Sequence, residues 1–464
     1  MKKKIAAIAK KVNSIFKKCH SVTIEVQQDH PLILVSASVN WENYVQKAQE
    51  IRKQKLKKPQ VGRTPHLRQL VGAVILRAIK RCTLQECMDL MRHYAPARIL
   101  CGLVDEKGVD SGWTPDFRTV SDFEILLGAD GVAALTDNLI VAAKDLDFTD
   151  SKTLCSDTTA QEASIPYPTE VGLMSSFAKS IESMLQTIES GSDQLRAKAH
   201  SKIASISKKV REYRLFAKTP ERKKAVMKGL LGMTKSLKNI VMELESELKA
   251  KKAEITAKGK RAVNRLGPLL LSMTKLMPQI KYFIRNGKPT RDKIISLSHP
   301  EVRSIVRGKS GKDTEFGLKW LVNRLRGGYV SLRINASLQQ IADCDYAVQA
   351  IDHHIALFGK PPTDFGFDRG AWSEPHIAQI KAKGVKRVAI APKGKSKWKV
   401  SNRCRKRMIR ERAQVEGSIG CLKRTGFNKP QTKNTQGMLI SAQRANLRLN
   451  LMNFVRDLKS AMAT

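Results

Sequence analysis

The chain has 464 residues, with 84 Lys and Arg against 42 Asp and Glu, a formal net charge of +42 and a pI near 10.1. That length leaves room for about three domains and a large buried core, so no small disulfide-stapled fold is required. An excess of positive charge on this scale points to an anionic polymer as partner, and no apolar run in the sequence approaches a bilayer span.

Met1 opens a short basic stretch like the start of a secretion signal. Its apolar segment from Ile5 to Ala9 is cut short by Lys10 and Lys11, so it reads as a solvated basic start. The eight cysteines, at 19, 82, 87, 101, 155, 344, 404 and 421, form no CxxC pair and no Cys/His spacing suited to zinc; Cys19 and His20 are chance neighbours. Reduced thiols and a cytoplasmic location are expected.

From His66 to Tyr94, Leu67, Leu70, Val71, Val74, Ile75, Ala78 and Ile79 recur at helical spacing. Thr83 and Glu86 then form a capping box that opens a second helix. With Arg63, Arg68, Arg77, Lys80 and Arg81 around it, this pair is either a DNA-binding helix-turn-helix or an ordinary helical hairpin. A further helix starts near Ser121, and residues 1–130 read as a helical domain.

Between Gly172 and Arg285 the composition is rich in Lys, Ala, Leu, Met and Ser, with helix breaks expected at Gly191, Pro220 and Gly267-Pro268. This 173–285 segment reads as a long helical insertion, an arm whose lysines solvate it or contact a DNA backbone or a second subunit. The rest alternates strand and helix: strands at 153–157, 314–322, 329–334, 363–368 and 385–391, helices at 342–358 and 373–383, and a final helix through Glu416. The hairpin signal at Gly327-Gly328 followed by crossover units implies an α/β mixed sheet covered by helices, built from 131–172 and 286–464.

Three carboxylates stand out in that frame. Asp157 and Asp368 fall at expected strand ends, and alternation sets Asp364, Gly366 and Asp368 on one strand face with Phe365 and Phe367 on the other. Glu416 lies on a helix whose face also carries Arg412 and Lys423, at i−4 and i+7. Two Asp and one Glu supply the hard oxygen ligands that Mg²⁺ or Mn²⁺ prefers, and a two-ion site is suited to in-line phosphoryl transfer. Arg412 and Lys423 then suit phosphate, Lys309 and Lys312 sit in a basic Gly-containing loop ahead of a strand, and Arg369 follows Asp368 directly.

The triad Asp157, Asp368 and Glu416, the turn from Gly366 to Gly370, and the run R-x3-E-x6-K from Arg412 to Lys423 resemble the DDE transposases of bacterial insertion sequences. Weaker likeness lies in His30-Pro31, Trp41-Glu42, Tyr167-Pro168-Thr169, Gly308-Lys309, Glu315-Phe316-Gly317 and Glu416-Gly417. Ile409 stands where that family's signature carries a tyrosine. The resemblance implies a ribonuclease H-like catalytic core, two Mg²⁺ or Mn²⁺ ions held by Asp157, Asp368 and Glu416, and DNA contacts from Arg412, Lys423, Lys309, Lys312 and Arg369. It implies metal-dependent cleavage at transposon ends and attack of the freed 3′-hydroxyl on target DNA. It further implies a homodimer pairing two ends, a long insertion in the first hairpin, and a prokaryotic, nucleoid-associated setting. A ribonuclease H-like nuclease or resolvase without strand transfer, and a non-catalytic DNA-binding protein, are the competing readings.

Overall fold

The computed structural model describes residues 25–463 except 28, 57–65, 106–107, 189–190, 251–254, 310–311, 395–397, 431 and 433. The basic start at Met1, the Cys19-His20 pair and Arg63 therefore lie outside the described residues. Contacts divide the chain into two units, Met1–Thr149 with Leu447–Thr464, and Asp150–Asn446. The boundary falls about twenty residues later than the expected 130, the final residues belong to the first unit, and the helical insertion is not divided from the sheet.

The first unit contains α1 (Pro31–Ser38), α2 (Trp41–Lys55), α3 (Leu67–Lys80), α4 (Leu84–His93), α5 (Ala95–Leu100) and α6 (Phe117–Asp145). The capping box at α4 forms: Glu86 N donates to Thr83 Oγ1 at 3.2 Å and Thr83 N donates to Glu86 Oε2 at 2.7 Å. Of the basic residues around the pair, Lys80 and Arg81 are exposed, but Arg68 and Arg77 turn inward. Arg68 stacks on the Trp41 ring at 3.3 Å and donates to Leu100 O, and Arg77 forms a buried ion pair with Glu124. Those two arginines build the core, because a guanidinium with a stacked ring or a carboxylate beside it is tolerated where a bare charge is not. The α4 face left to solvent carries Gln85, Glu86, Asp89, Arg92 and His93 and so is not basic.

Contrary to the sequence reading, one helix is long and apolar enough to cross a membrane, α6, with a mean hydropathy of 1.5 over its best window. Gly128 inside it is non-helical at φ 68°, ψ −173°, and Val132, Leu135 and Ile140 are fully or almost fully buried in the first unit. Half of that apolar window is buried, so part of its apolarity serves a protein core.

The second unit starts with β1 (Thr153–Glu162), followed by four helices: α7 (Glu170–Leu185), α8 (Asp193–Leu215), α9 (Pro220–Ala250) and α10 (Ala257–Asn286). These share a core of their own, including Phe177, Ile181, Ile206, Leu230, Leu244 and Met273, so the insertion is a packed helical bundle rather than an extended arm. The expected breaks at Gly191 and Pro220 fall between helices, but Gly267-Pro268 lies within α10, which also carries Pro278. Leu266, Leu269 and Leu270 are buried on either side of Pro268, and that packing outweighs the hydrogen bond each proline removes.

The remaining elements are β2 (Arg303–Lys309), β3 (Lys312–Arg324), β4 (Val330–Ile334), α11 (Asp343–Phe358), β5 (Asp364–Phe367), α12 (Glu374–Ala382), β6 (Arg387–Ile390), α13 (Asn402–Leu422) and α14 (Thr435–Met462). The six strands form one mixed sheet in the order β2-β3-β1-β5-β6, with β4 also on β3. β1 pairs antiparallel with β3 and parallel with β5, and β5 pairs parallel with β6. The fold is thus mixed α/β, as expected, with β2 as an additional strand. The turn between β3 and β4 uses Gly327 and Gly328 at φ 75° and 88°. Gly317 is forced by proximity: a Cβ there would lie 1.8 Å from Gln161 O on β1.

On one face of the sheet, α11 buries His354, whose Nδ1 lies 2.9 Å from Lys360 O. Burial pushes this imidazole down to about 4 from its ordinary 6.5. The folded protein then resists the proton that the unfolded chain accepts. Stability is full above pH 6.5 and falls as pH drops toward 4, by roughly 3 kcal/mol in all. Replacing His354 with Phe is expected to flatten that window in melting curves recorded from pH 7 to 4, and an unchanged slope would remove His354 as its source.

Candidate active site

The site grows from β1. Its burial alternates little along most of its length and lapses at Asp157 and Thr158, midway along the strand. Asp157 is therefore an interior strand residue, not the strand end the sequence suggested. Asp368 does follow β5 directly, as expected, and caps the short turn after it by accepting Arg369 N at 2.7 Å.

Register brings these two together. Thr153 faces Asp364 and Cys155 faces Gly366 across the parallel β1–β5 pair. The pairing ends there, and Asp157 and Asp368 each lie two residues beyond that last pair, at the same end of the two neighbouring segments. Both belong to the face covered by α13, since β5 offers Asp364 and Asp368 to Arg407 and Arg412 of that helix. Gly366 permits the close approach: a Cβ there would sit 3.0 Å from Met408 Cε and 3.2 Å from Cys155 Sγ.

α13 is tied along this face at four points. Asp364, 2% exposed, accepts from Arg387 and Arg407; Arg412 pairs with Asp368; Glu411 pairs with Arg324 at 3.0 Å; and Lys423 reaches Glu315 at 3.4 Å. Arg324 lies opposite Cys155 on β3, and Glu315 lies beyond Gly317, the partner of Glu162. The two β3 anchors bracket the level of Asp157. Glu416, between Glu411 and Lys423 on α13, is carried past that level one turn beyond Arg412. Its side chain is exposed, while the adjacent Val415 is buried against the sheet.

Two of the expected phosphate ligands thus have other partners: Arg412 and Lys423 face carboxylates of the sheet. Arg369 is exposed. Lys309 and Lys312 are not in a loop ahead of a strand but pair with each other across β2 and β3. Sequence reasoning overlooked Glu411 and Arg324, and it placed Asp364 on its strand face without its arginine partners, because these contacts join residues tens of positions apart. Burial, with Glu411 nearby, pushes the Cys155 thiol up to about 12, so it stays protonated beside the acids.

Asp157, Asp368 and Glu416 are hard oxygen donors suited to Mg²⁺ or Mn²⁺, and Asp368 accepts from Arg369 N and Arg412 through Oδ1, which leaves Oδ2 to a cation. The triad does not meet at one point. Among the described residues, the group of three with ligand atoms within 4.8 Å of one another is Cys344, Asp345 and His376. There His376 Nε2 is 3.1 Å from Asp345 Oδ1 and Nδ1 is 2.7 Å from Ser373 Oγ, a geometry that an ion pair with an oriented ring explains fully.

Comparison with protein-family models, with curated proteins and with solved structures gives no match to this chain.

Proposed function

We propose that the chain is a DDE-type DNA transposase with a ribonuclease H-like catalytic core. The observation that carries this reading is the parallel β1–β5 pairing, whose last partners, Cys155 and Gly366, each stand two residues before Asp157 and Asp368, on the face covered by α13, the helix that bears Glu416. The strand path β4-β3-β1-β5-β6, antiparallel on one side of β1 and parallel on the other, supports the same core, and the insertion between β1 and β3 supports the resemblance further.

In this reading Asp157, Asp368 and Glu416 hold Mg²⁺ or Mn²⁺, which when bound activates an attacking oxygen and stabilises a leaving one. The protein's own part is positional. The sheet carries one aspartate within β1 and the other directly after β5, and the ion pairs of Glu411 and Lys423, on either side of Glu416 in the chain, fix the helix that presents it. Arg412 holds Asp368 in place and balances its charge. The surplus of 84 basic over 42 acidic residues draws duplex DNA to the protein, and two chains would pair two transposon ends.

The test uses the full chain, linear DNA carrying its own flanking ends, and supercoiled target plasmid. Mg²⁺-dependent release of a 3′-hydroxyl end and its covalent joining to plasmid are expected. Cutting without joining would favour a nuclease or resolvase, and binding without cutting would overturn the enzymatic reading.

A further inference from the structure

In the second unit, a cleft of about 580 Å³ opens beside the loop that continues β1, between that loop, the helical bundle and residues 295–299. Three cations line it, each from a different helix: Lys179 of α7, Arg214 near the end of α8 and Arg265 of α10. All three are exposed, and no hydrogen bond or ion pair engages any of them among the described residues. Among the described residues, no carboxylate lines the cleft. Beside the acidic site the cations Arg412, Lys423, Arg387 and Arg407 are each paired with a carboxylate, whereas these three converge unpaired on one cavity.

The floor adds neutral donors. His299, 5% exposed, lines the cleft and has a buried Nδ1 with no hydrogen-bond partner, and the buried Oγ1 of Thr432 has none either. Burial lowers the His299 pKa, which leaves a neutral ring able to donate from one nitrogen. Ser176 and Ser180, one turn apart on α7, present hydroxyls to the same space. Buried polar atoms without partners are costly, and cations, hydroxyls and a neutral imidazole share one suitable guest, a phosphate group.

We propose that this cleft is a phosphate-binding groove that grips the DNA backbone away from the acidic site. The choice of a polynucleotide rests on the DNA-processing reading above; the anion chemistry does not. Seven residues of chain separate Asp157 from Ser164 at the cleft's edge, no more than about 25 Å, so a single duplex can reach both. The near edge of the cleft thus lies within about seven base pairs of Asp157, at 3.4 Å per pair.

The experiment measures binding of the full chain to duplex DNA by fluorescence anisotropy over a range of salt. The variant is Lys179→Gln/Arg214→Gln/Arg265→Gln, and the control is Lys223→Gln/Lys224→Gln/Lys228→Gln on the exposed side of α9. Loss of three phosphate contacts is expected to flatten the plot of log affinity against log salt by about 2 to 3, with a smaller change in the control. In the unmodified chain, DNA is expected to protect Lys179 from acetylation, a readout that does not depend on how the variant folds. Equal slopes for variant and control, or an unprotected Lys179, would overturn the proposal. Loss of thermal stabilisation by orthophosphate with an unchanged DNA slope would overturn the backbone assignment in favour of a small-anion site. A chain that binds DNA through this cleft but never cuts would sink the transposase reading and leave the groove standing, whereas equal slopes in a chain that cuts would do the reverse.

Discussion

Asp157→Asn, Asp368→Asn and Glu416→Gln are each expected to cut Mg²⁺-dependent DNA cleavage on the order of 1,000-fold, because each removes a charged ligand worth several kcal/mol in the transition state. DNA affinity should survive in all three, since the net charge of +42 changes by only one unit in each. Fold stability should also survive. Asp157 is half-buried in the one lapse of β1, Asp368 sits after its strand, and Glu416 is solvent-exposed. The measurements are cleavage of end-labelled DNA, anisotropy and thermal melting on the same preparations. Retention of full cleavage by any one variant would remove that residue from the site. Particular interest attaches to Glu416, because Glu411 lies on the same helix, closer to the sheet, and is already bound to Arg324. If Glu416→Gln cleaves normally while Glu411→Gln does not, the third ligand has been assigned one and a half turns too late.

What the sequence could and could not say about this site follows from the range over which each signal acts. Alternation within Asp364–Phe367 and the turn at Arg369 act over a few residues, and they put Asp368 at the end of a strand on the face of Asp364, one residue from where the strand ends. Helical spacing correctly put Arg412 and Glu416 on one helix. The placing of Asp157 and Asp368 at the same end of neighbouring strands depends on a parallel register between segments 211 residues apart, and no local pattern encodes it. Asp157 was misplaced for a related reason: the apolar run Leu154-Cys155 ends before it, but the Thr-rich continuation to Glu162 is held as strand by its partners on β3. β2 escaped notice because Arg303-Ser304-Ile305-Val306-Arg307-Gly308-Lys309 lacks a clean alternation and is defined by pairing. The same distance effect turned Arg412 and Lys423 inward. Spacing shows that they share a face, but not that Asp368 and Glu315 are opposite.

That distinction between acids that hold the fold and acids that do chemistry has its sharpest case in β5, where Asp364 and Asp368 share a face four residues apart. Asp364 is 2% exposed and clamped by Arg387 of β6 and Arg407 of α13, whose side chains are about half exposed. Asp368 has a half-exposed side chain and one guanidinium. Asp364→Asn therefore frees two arginines that can return to water, a loss of about 2 to 3 kcal/mol of charge-assisted hydrogen bonding. Arg387→Met with Arg407→Met is expected to cost more, about 3 to 5 kcal/mol, because it leaves a carboxylate buried with no counter-charge. Adding Asp364→Asn to that pair should recover part of the loss, since it removes the uncompensated charge. Denaturant melts of the second unit's transition decide the order. If the double arginine variant proves no less stable than Asp364→Asn, then Asp364 reaches solvent in the double variant and is not a structural acid. In that case it joins Asp157 and Asp368 as a candidate ligand, and its own cleavage assay becomes the next measurement.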